Sequence, residues 1–196
     1  ELVRRDNWQD ALRDAIACLS KLQVLAEAEE KVSGDYLRPI MLLQAERKDA
    51  ERETLVPEKV KQALIDDFDI PENQIANATG ASDDLVGEDI LSPNSFIRFV
   101  ITIDKLREGW DCPFAYVLCS FRNTNSSTAA EQILGRILRM PRAKRKSQQE
   151  LNEAYAFITS SNFQATVESL RDGLVKNGFE RQEAKDLIHS AEETGE

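Results

Sequence analysis

The strongest constraint on this chain is a set of short, unbroken apolar runs. They are Arg38-Pro39-Ile40-Met41-Leu42-Leu43-Gln44-Ala45, Phe96-Ile97-Arg98-Phe99-Val100-Ile101-Thr102-Ile103, Phe114-Ala115-Tyr116-Val117-Leu118-Cys119 and Ala154-Tyr155-Ala156-Phe157-Ile158-Thr159. A strand with one wet face alternates apolar and polar residues. These runs are close to continuous, so they predict strands buried on both faces. Gln74-Ile75-Ala76-Asn77-Ala78-Thr79 is a weaker strand signal that ends at Gly80.

Helical patterns separate the runs. Trp8, Leu12, Ala15, Ile16, Leu19, Leu22 and Leu25 recur at three- and four-residue steps, predicting one amphipathic helix over the first thirty residues. Ser33-Gly34-Asp35 is its break. Pro57 suits the first turn of a second helix with Val60, Ala63, Leu64 and Phe68 inward, and Pro71 lies beyond its end. The charged stretches Glu46–Glu53 and Ser82–Asp89 read as loops. The polar loop Asn123-Thr124-Asn125-Ser126-Ser127 leads into a helix from Ala129 to Arg139, and further helices are expected over Phe163–Val175 and about Glu180–Glu193. Buried strands alternating with helices describe an α/β fold with a parallel sheet. The expected organisation is a helical N-terminal extension over 1–33, the sheet domain over 34–160 and a helical C-terminal extension over 161–196.

Several chemistries are excluded at this stage. The cysteines, Cys18, Cys112 and Cys119, are few and odd in number, which argues against a disulfide framework and for a cytoplasmic setting. Their spacing does not suit zinc, so no metal site is expected and all three read as small packing residues. The single histidine, His189, lies in a charged tail, far from any nucleophile pattern. No apolar run approaches the roughly 18–20 residues of a membrane span, and the first residues do not resemble a secretory signal.

The formal net charge of −10 taken as a whole argues against nucleic acid, but the charge is uneven. Residues 1–100 hold 12 basic and 21 acidic side chains, a net of −9. Residues 101–150 hold 9 and 5, a net of +4, and residues 151–196 hold 4 and 9, a net of −5. The basic side chains gather at Arg136, Arg139, Arg142, Lys144, Arg145 and Lys146. Such a cluster can clamp phosphates, because guanidinium is a planar fork matched to phosphate oxygens. The plainer reading is a solvated helix end whose cations complement the helix dipole.

Two segments in this basic region weight the phosphate reading. One is Ile103-Asp104-Lys105-Leu106-Arg107-Glu108-Gly109-Trp110-Asp111-Cys112-Pro113, and the other is Gln132-Ile133-Leu134-Gly135-Arg136-Ile137-Leu138-Arg139. They resemble motifs V and VI of superfamily 2 helicases, in the right order and with a strand between them. Arg38-Pro39-Ile40-Met41-Leu42-Leu43-Gln44-Ala45-Glu46 resembles motif IV. The closer similarity is to the Res subunit of type III restriction enzymes and its DEAD/DEAH-type relatives, over about residues 36–160. Gln132 and Ile133 depart from the His-Arg start of motif VI in many relatives, which suits the restriction and DEAH-like branches.

The resemblance implies a RecA-like sheet, the second of two such domains that close over one ATP. The chain has no Gly-x-x-x-x-Gly-Lys-Ser/Thr loop and no Asp-Glu-x-His box, so ATP and Mg2+ are expected to be held mainly by a first RecA-like domain, with no cofactor on this portion alone. It shows no nuclease pattern. By family analogy Arg139 is the first choice for an arginine finger and Arg136 its companion. Gln132 and Gly135 belong to the same nucleotide-facing motif. Gly109 permits close backbone approach, and Asp111 holds the ribose or ties the motifs together. For Asp111 the alternative is a turn cap before Pro113, and for Trp110 packing is favoured over base stacking. Thr102, Lys105, Arg122, Asn123, Thr124 and Ser126 are candidates for nucleic-acid backbone contact, with helix capping the alternative for Ser126. The implied partners are DNA or RNA, the first RecA-like domain and a modification subunit, with no membrane. The competing function is a degenerate RecA-like scaffold or nucleic-acid-binding module without ATP turnover.

Overall fold

The computed structural model describes residues 1–80, 82–103, 112–121 and 145–159, with 167–168, 171–172, 175, 180–182 and 190–191 beyond them. Among these, the strands in chain order are β1 (Leu2–Arg4), β2 (Ile40–Gln44), β3 (Ile75–Ala78), β4 (Phe99–Thr102), β5 (Ala115–Ser120), β6 (Tyr155–Ile158) and β7 (Ser190–Ala191). They form one sheet in the order β3-β4-β2-β5-β6-β1-β7. Every pairing between these strands is parallel. All residues of β2, β4, β5 and β6 are buried, as continuous apolar runs require of strands covered on both faces. This is the parallel α/β sheet that the sequence predicts.

The long helix α1 (Trp8–Ser33) packs on β5 and β6. Asn7 caps its start by accepting the amide of Asp10 at 2.8 Å. Gly34 ends it in the left-handed region at φ +71, and its N–H donates to the Glu30 carbonyl at 2.8 Å. The inward stripe is Ala11, Leu12, Ala15, Leu19, Leu22 and Ala26. Those three leucines alone contribute about 5–9 kcal/mol of gross burial. Helix α2 (Pro57–Asp66) opens on Pro57, buries Val60, Ala63 and Leu64, and packs on β4.

The structure corrects three sequence expectations. The N-terminal helix begins at Trp8, because Leu2–Arg4 pairs with β6 and enters the sheet. A three-residue strand leaves no periodic signal of its own. Ser190–Ala191 pairs with β1, so the helix expected through Glu193 does not hold there. Phe96 is 67 % exposed and the fourth strand starts only at Phe99. Val167, Glu168, Arg171, Asp172 and Val175 are helical as expected, and Val167 reaches the core.

The segments at the other end of the sheet are tied down by polar contacts. Arg38 is buried and its guanidinium donates to the carbonyls of Ile90, Ser92 and Ser95. That clamp holds the long excursion between β3 and β4. Cys112 and Cys119 are buried and Cys18 is half-buried, and none is in a disulfide.

Candidate functional site at the carboxyl edge of the sheet

Parallel strands put all their carboxyl ends on one edge, where ligands of open α/β sheets bind. Thr102 ends β4, Gln44 ends β2, Ser120 ends β5 and Ile158 stands beside Ser120 on β6, all in one register row. Side chains in one row of a parallel sheet point to the same face. The ladder continues one residue past the strands. Ala45 N donates to Thr102 O at 2.8 Å, Phe121 N to Gln44 O at 3.1 Å and Thr159 N to Ser120 O at 3.3 Å.

Two chain segments leave the sheet at this edge. The chain leaves β4 through Ile103 into residues 104–111, and leaves β5 through Phe121 into residues 122–144. The strands β4 and β5 flank β2 on either side. Both motif-bearing segments therefore start from the same edge, one strand apart. Phe121 is buried and meets Trp8 of α1 edge-on, with ring centroids 6.3 Å apart. That contact fixes the last described residue before the second segment.

The polar groups of the row are unusual for such a buried position. Ser120 Oγ donates to Gln44 Oε1 at 2.8 Å, and both residues are buried. Thr102 is 0 % exposed, and its Oγ1 has no hydrogen-bond partner among the described residues. Beyond β2, Glu46 is buried too. Its carboxylate accepts Leu55 N and Arg52 Nη2, both at 3.0 Å, and so closes the 46–55 loop against the edge. The charged run read as a solvated loop thus hides one structural carboxylate.

The return from the second segment is also built. Ser147 donates its N–H and its hydroxyl to the Glu29 carboxylate near the end of α1, and Gln148 N adds a longer bond at 3.4 Å. The Ser147 hydroxyl, the two amides and the nearby charge of Lys146 hold the Glu29 carboxyl below its usual range, against the opposing effect of burial. Asn152 closes the same turn, accepting Lys146 N at 2.7 Å and donating to Lys146 O at 3.0 Å. Within the basic cluster, Arg145 is exposed while Lys146 is buried at this clasp.

Of the sequence-predicted site residues, Thr102 is placed as above. Lys105, Gly109, Trp110, Asp111, Arg122, Asn123, Thr124, Ser126, Gln132, Gly135, Arg136, Arg139 and His189 lie outside the described residues. Gln44, Ser120 and Glu29 were not singled out from the sequence: the first two stand at the ends of apolar runs and look like loop boundaries, and Glu29 sits in a charged helical run that looks solvated. Among the described residues no group of three or more His, Cys, Asp or Glu is arranged to hold a metal ion. No helix there is long and apolar enough to cross a membrane.

No protein-family model matches the chain. Over 52 residues it is 41 % identical to the EcoPI Res subunit of Escherichia phage P1, a type III restriction-modification enzyme. It is equally identical over 52 residues to the EcoP15I Res subunit of Escherichia coli. Each match covers 26 % of this chain and 5 % of the relative. Among solved structures, the C-terminal domain of S. cerevisiae Dbp5 bound to Gle1 and IP6 aligns with 97 % of this chain and 86 % of that one, at TM-score 0.48 and 12 % identity. The ATP-dependent type ISP restriction-modification enzyme LlaBIII bound to DNA aligns with 89 % of this chain and 13 % of that one, at TM-score 0.44 and 15 % identity.

Over the matched 52 residues the chain is similar to the Res subunits of type III restriction enzymes, and it spans only 5 % of their length.

Proposed function

We propose that this chain is the C-terminal motor domain of an ATP-dependent DNA helicase or translocase of the Res-subunit kind. It lends motif V and VI residues to an ATP site shared with a first RecA-like domain. The observation that carries this reading is the departure of both motif segments from one sheet edge, on either side of β2. The 41 % identity to Res subunits supports the same reading.

In this reading the first domain holds ATP and Mg2+, which supply the phosphoryl group and neutralise its charge. Arg139 and Arg136 bring guanidinium groups to the far side of the transferring phosphoryl. Preorganised cations stabilise charge that develops only in the transition state, and such arginines are worth roughly 10³–10⁵ in rate. Gln132, Gly135, Gly109 and Asp111 line the nucleotide side, while Lys105, Arg122, Asn123, Thr124 and Ser126 face the nucleic-acid backbone. Phosphate contacts of this kind position a duplex without reading its sequence.

The test is DNA-stimulated ATPase of a protein carrying both RecA-like halves. Arg139→Ala is expected to lower kcat by roughly 10³-fold with ATP still bound. An unchanged rate would refute the finger assignment. A wild-type protein that binds DNA without turning over ATP would favour the scaffold function instead.

A further inference from the structure

The carboxyl-edge row contains a buried hydroxyl. Thr102 is fully buried and its Oγ1 has no partner among the described residues. Burying an unpaired hydroxyl destabilises a fold, and valine has nearly the same shape without that cost. Retaining the hydroxyl therefore asks for a use.

The neighbour on β2 offers one. Gln44 stands beside Thr102 in the register, and its Oε1 is already engaged by Ser120 on the other side. A carboxamide also carries two N–H donors on Nε2, and a threonine hydroxyl accepts as well as donates. Neighbouring strands are about 4.8 Å apart, so a side-chain rotation is enough to join adjacent groups of one row. Thr102 and Ser120 are each within two residues of a motif-bearing segment. A carboxamide between them spans the strand that separates the two motifs.

We infer that Gln44 is a positioning residue that couples the carboxyl ends of β4 and β5, with Ser120 and Thr102 as its two anchors. The Ser120 half of the link is formed in this structure. The Thr102 half lies one side-chain rotation away, between adjacent residues of the same row. Thr102 then acts through Gln44 and not by touching nucleic acid, as its complete burial requires. This inference rests on the helicase reading above.

The experiment compares Thr102→Val, Thr102→Ser, Gln44→Met and Arg139→Ala in a protein carrying both RecA-like halves. Melting temperature, kcat and KM of the DNA-stimulated ATPase are read for each. Thr102→Val is expected to raise the melting temperature by about 2–4 °C, because it removes an unpaired buried hydroxyl. The same variant is expected to lower kcat about tenfold, with KM for ATP unchanged. Thr102→Ser keeps the hydroxyl and restores kcat. Gln44→Met lowers kcat similarly, and adding Thr102→Val to it produces no further loss. A merely structural role would move stability and activity in the same direction. The coupling is overturned if Thr102→Val keeps full kcat while Arg139→Ala abolishes it, or if Thr102→Val lowers the melting temperature. An inactive wild-type protein, or an active Arg139→Ala, instead sinks the helicase reading, and the coupling falls with it.

Discussion

Replacing Glu29 is the sharpest probe of how the second motif segment is anchored. The residue is 4 % exposed and lies near the end of α1, yet its partners are more than a hundred positions away in sequence. Its carboxylate receives the Ser147 amide at 3.1 Å on each oxygen, the Ser147 hydroxyl, and the Gln148 amide at 3.4 Å. Two of these are good charge-assisted bonds, and the third is long. Glu29→Ala removes the acceptor and leaves the two amides at the start of the turn Gln149–Asn152 without it. The expected cost is about 2–4 kcal/mol, because bonds to a charged group are worth more than neutral ones. For a chain of this size that lowers the melting temperature by roughly 5–15 °C. Glu29→Gln keeps one carbonyl acceptor and should lose about half as much.

The pH dependence adds a second check on the same residue. The folded pKa of Glu29 is depressed, chiefly by the Ser147 hydroxyl. Its contribution is therefore complete above the unfolded value, about 4.3, and is lost as pH falls through the lower folded value. Circular-dichroism melts of wild type and Glu29→Gln between neutral and acid pH should show a gap that closes only below that point. Equal melting temperatures at pH 7, or a gap that persists unchanged into strong acid, would refute the reasoning.

Two further expectations follow from burial. Leu12→Ala should cost about 2–5 kcal/mol in urea denaturation, since Leu12 is 0 % exposed on the face of α1 that meets the sheet. A loss near zero would show that α1 is dispensable to the core. Burial pushes the Cys18 thiol up to about 12 and also raises that of Cys119. Disulfide reagents at pH 8 should therefore modify the native cysteines slowly and all three rapidly after unfolding, and fast native labelling of Cys119 would contradict the packing.

The strands that carry the core were legible because burial on both faces leaves unbroken apolar runs, as in Met41-Leu42-Leu43 and Tyr116-Val117-Leu118. Helix α1 was legible from its leucine stripe, and its end from Gly34. The edge elements were not. Leu2–Arg4 and Ser190–Ala191 are strands only because a neighbour supplies the ladder, and no local pattern encodes that. The same is true of the site's supporting groups. Gln44 meets Ser120 across 76 positions and Glu29 meets Ser147 across 118, so each pair exists only once the register is set. Sequence motifs point to residues that touch ligands, whereas the residues that hold those motifs in place emerge from the fold.

The position of β1 bears on how the chain assembles. It lies between β6 and β7, with Leu2 opposite Ala156 and Ser190. During synthesis β1 cannot pair with β6 until residues 155–158 have left the ribosome. Helix α1 faces the same wait, because the surface that covers it is β5 and β6. Residues 2–33 therefore lack the strands that cover them, with an apolar helix face open to water, while the stretch up to β6 is translated. Contacts this distant in sequence fold slowly and favour aggregation on the way. Slower elongation or chaperone capture over that interval should raise the soluble yield more than stabilising the finished sheet.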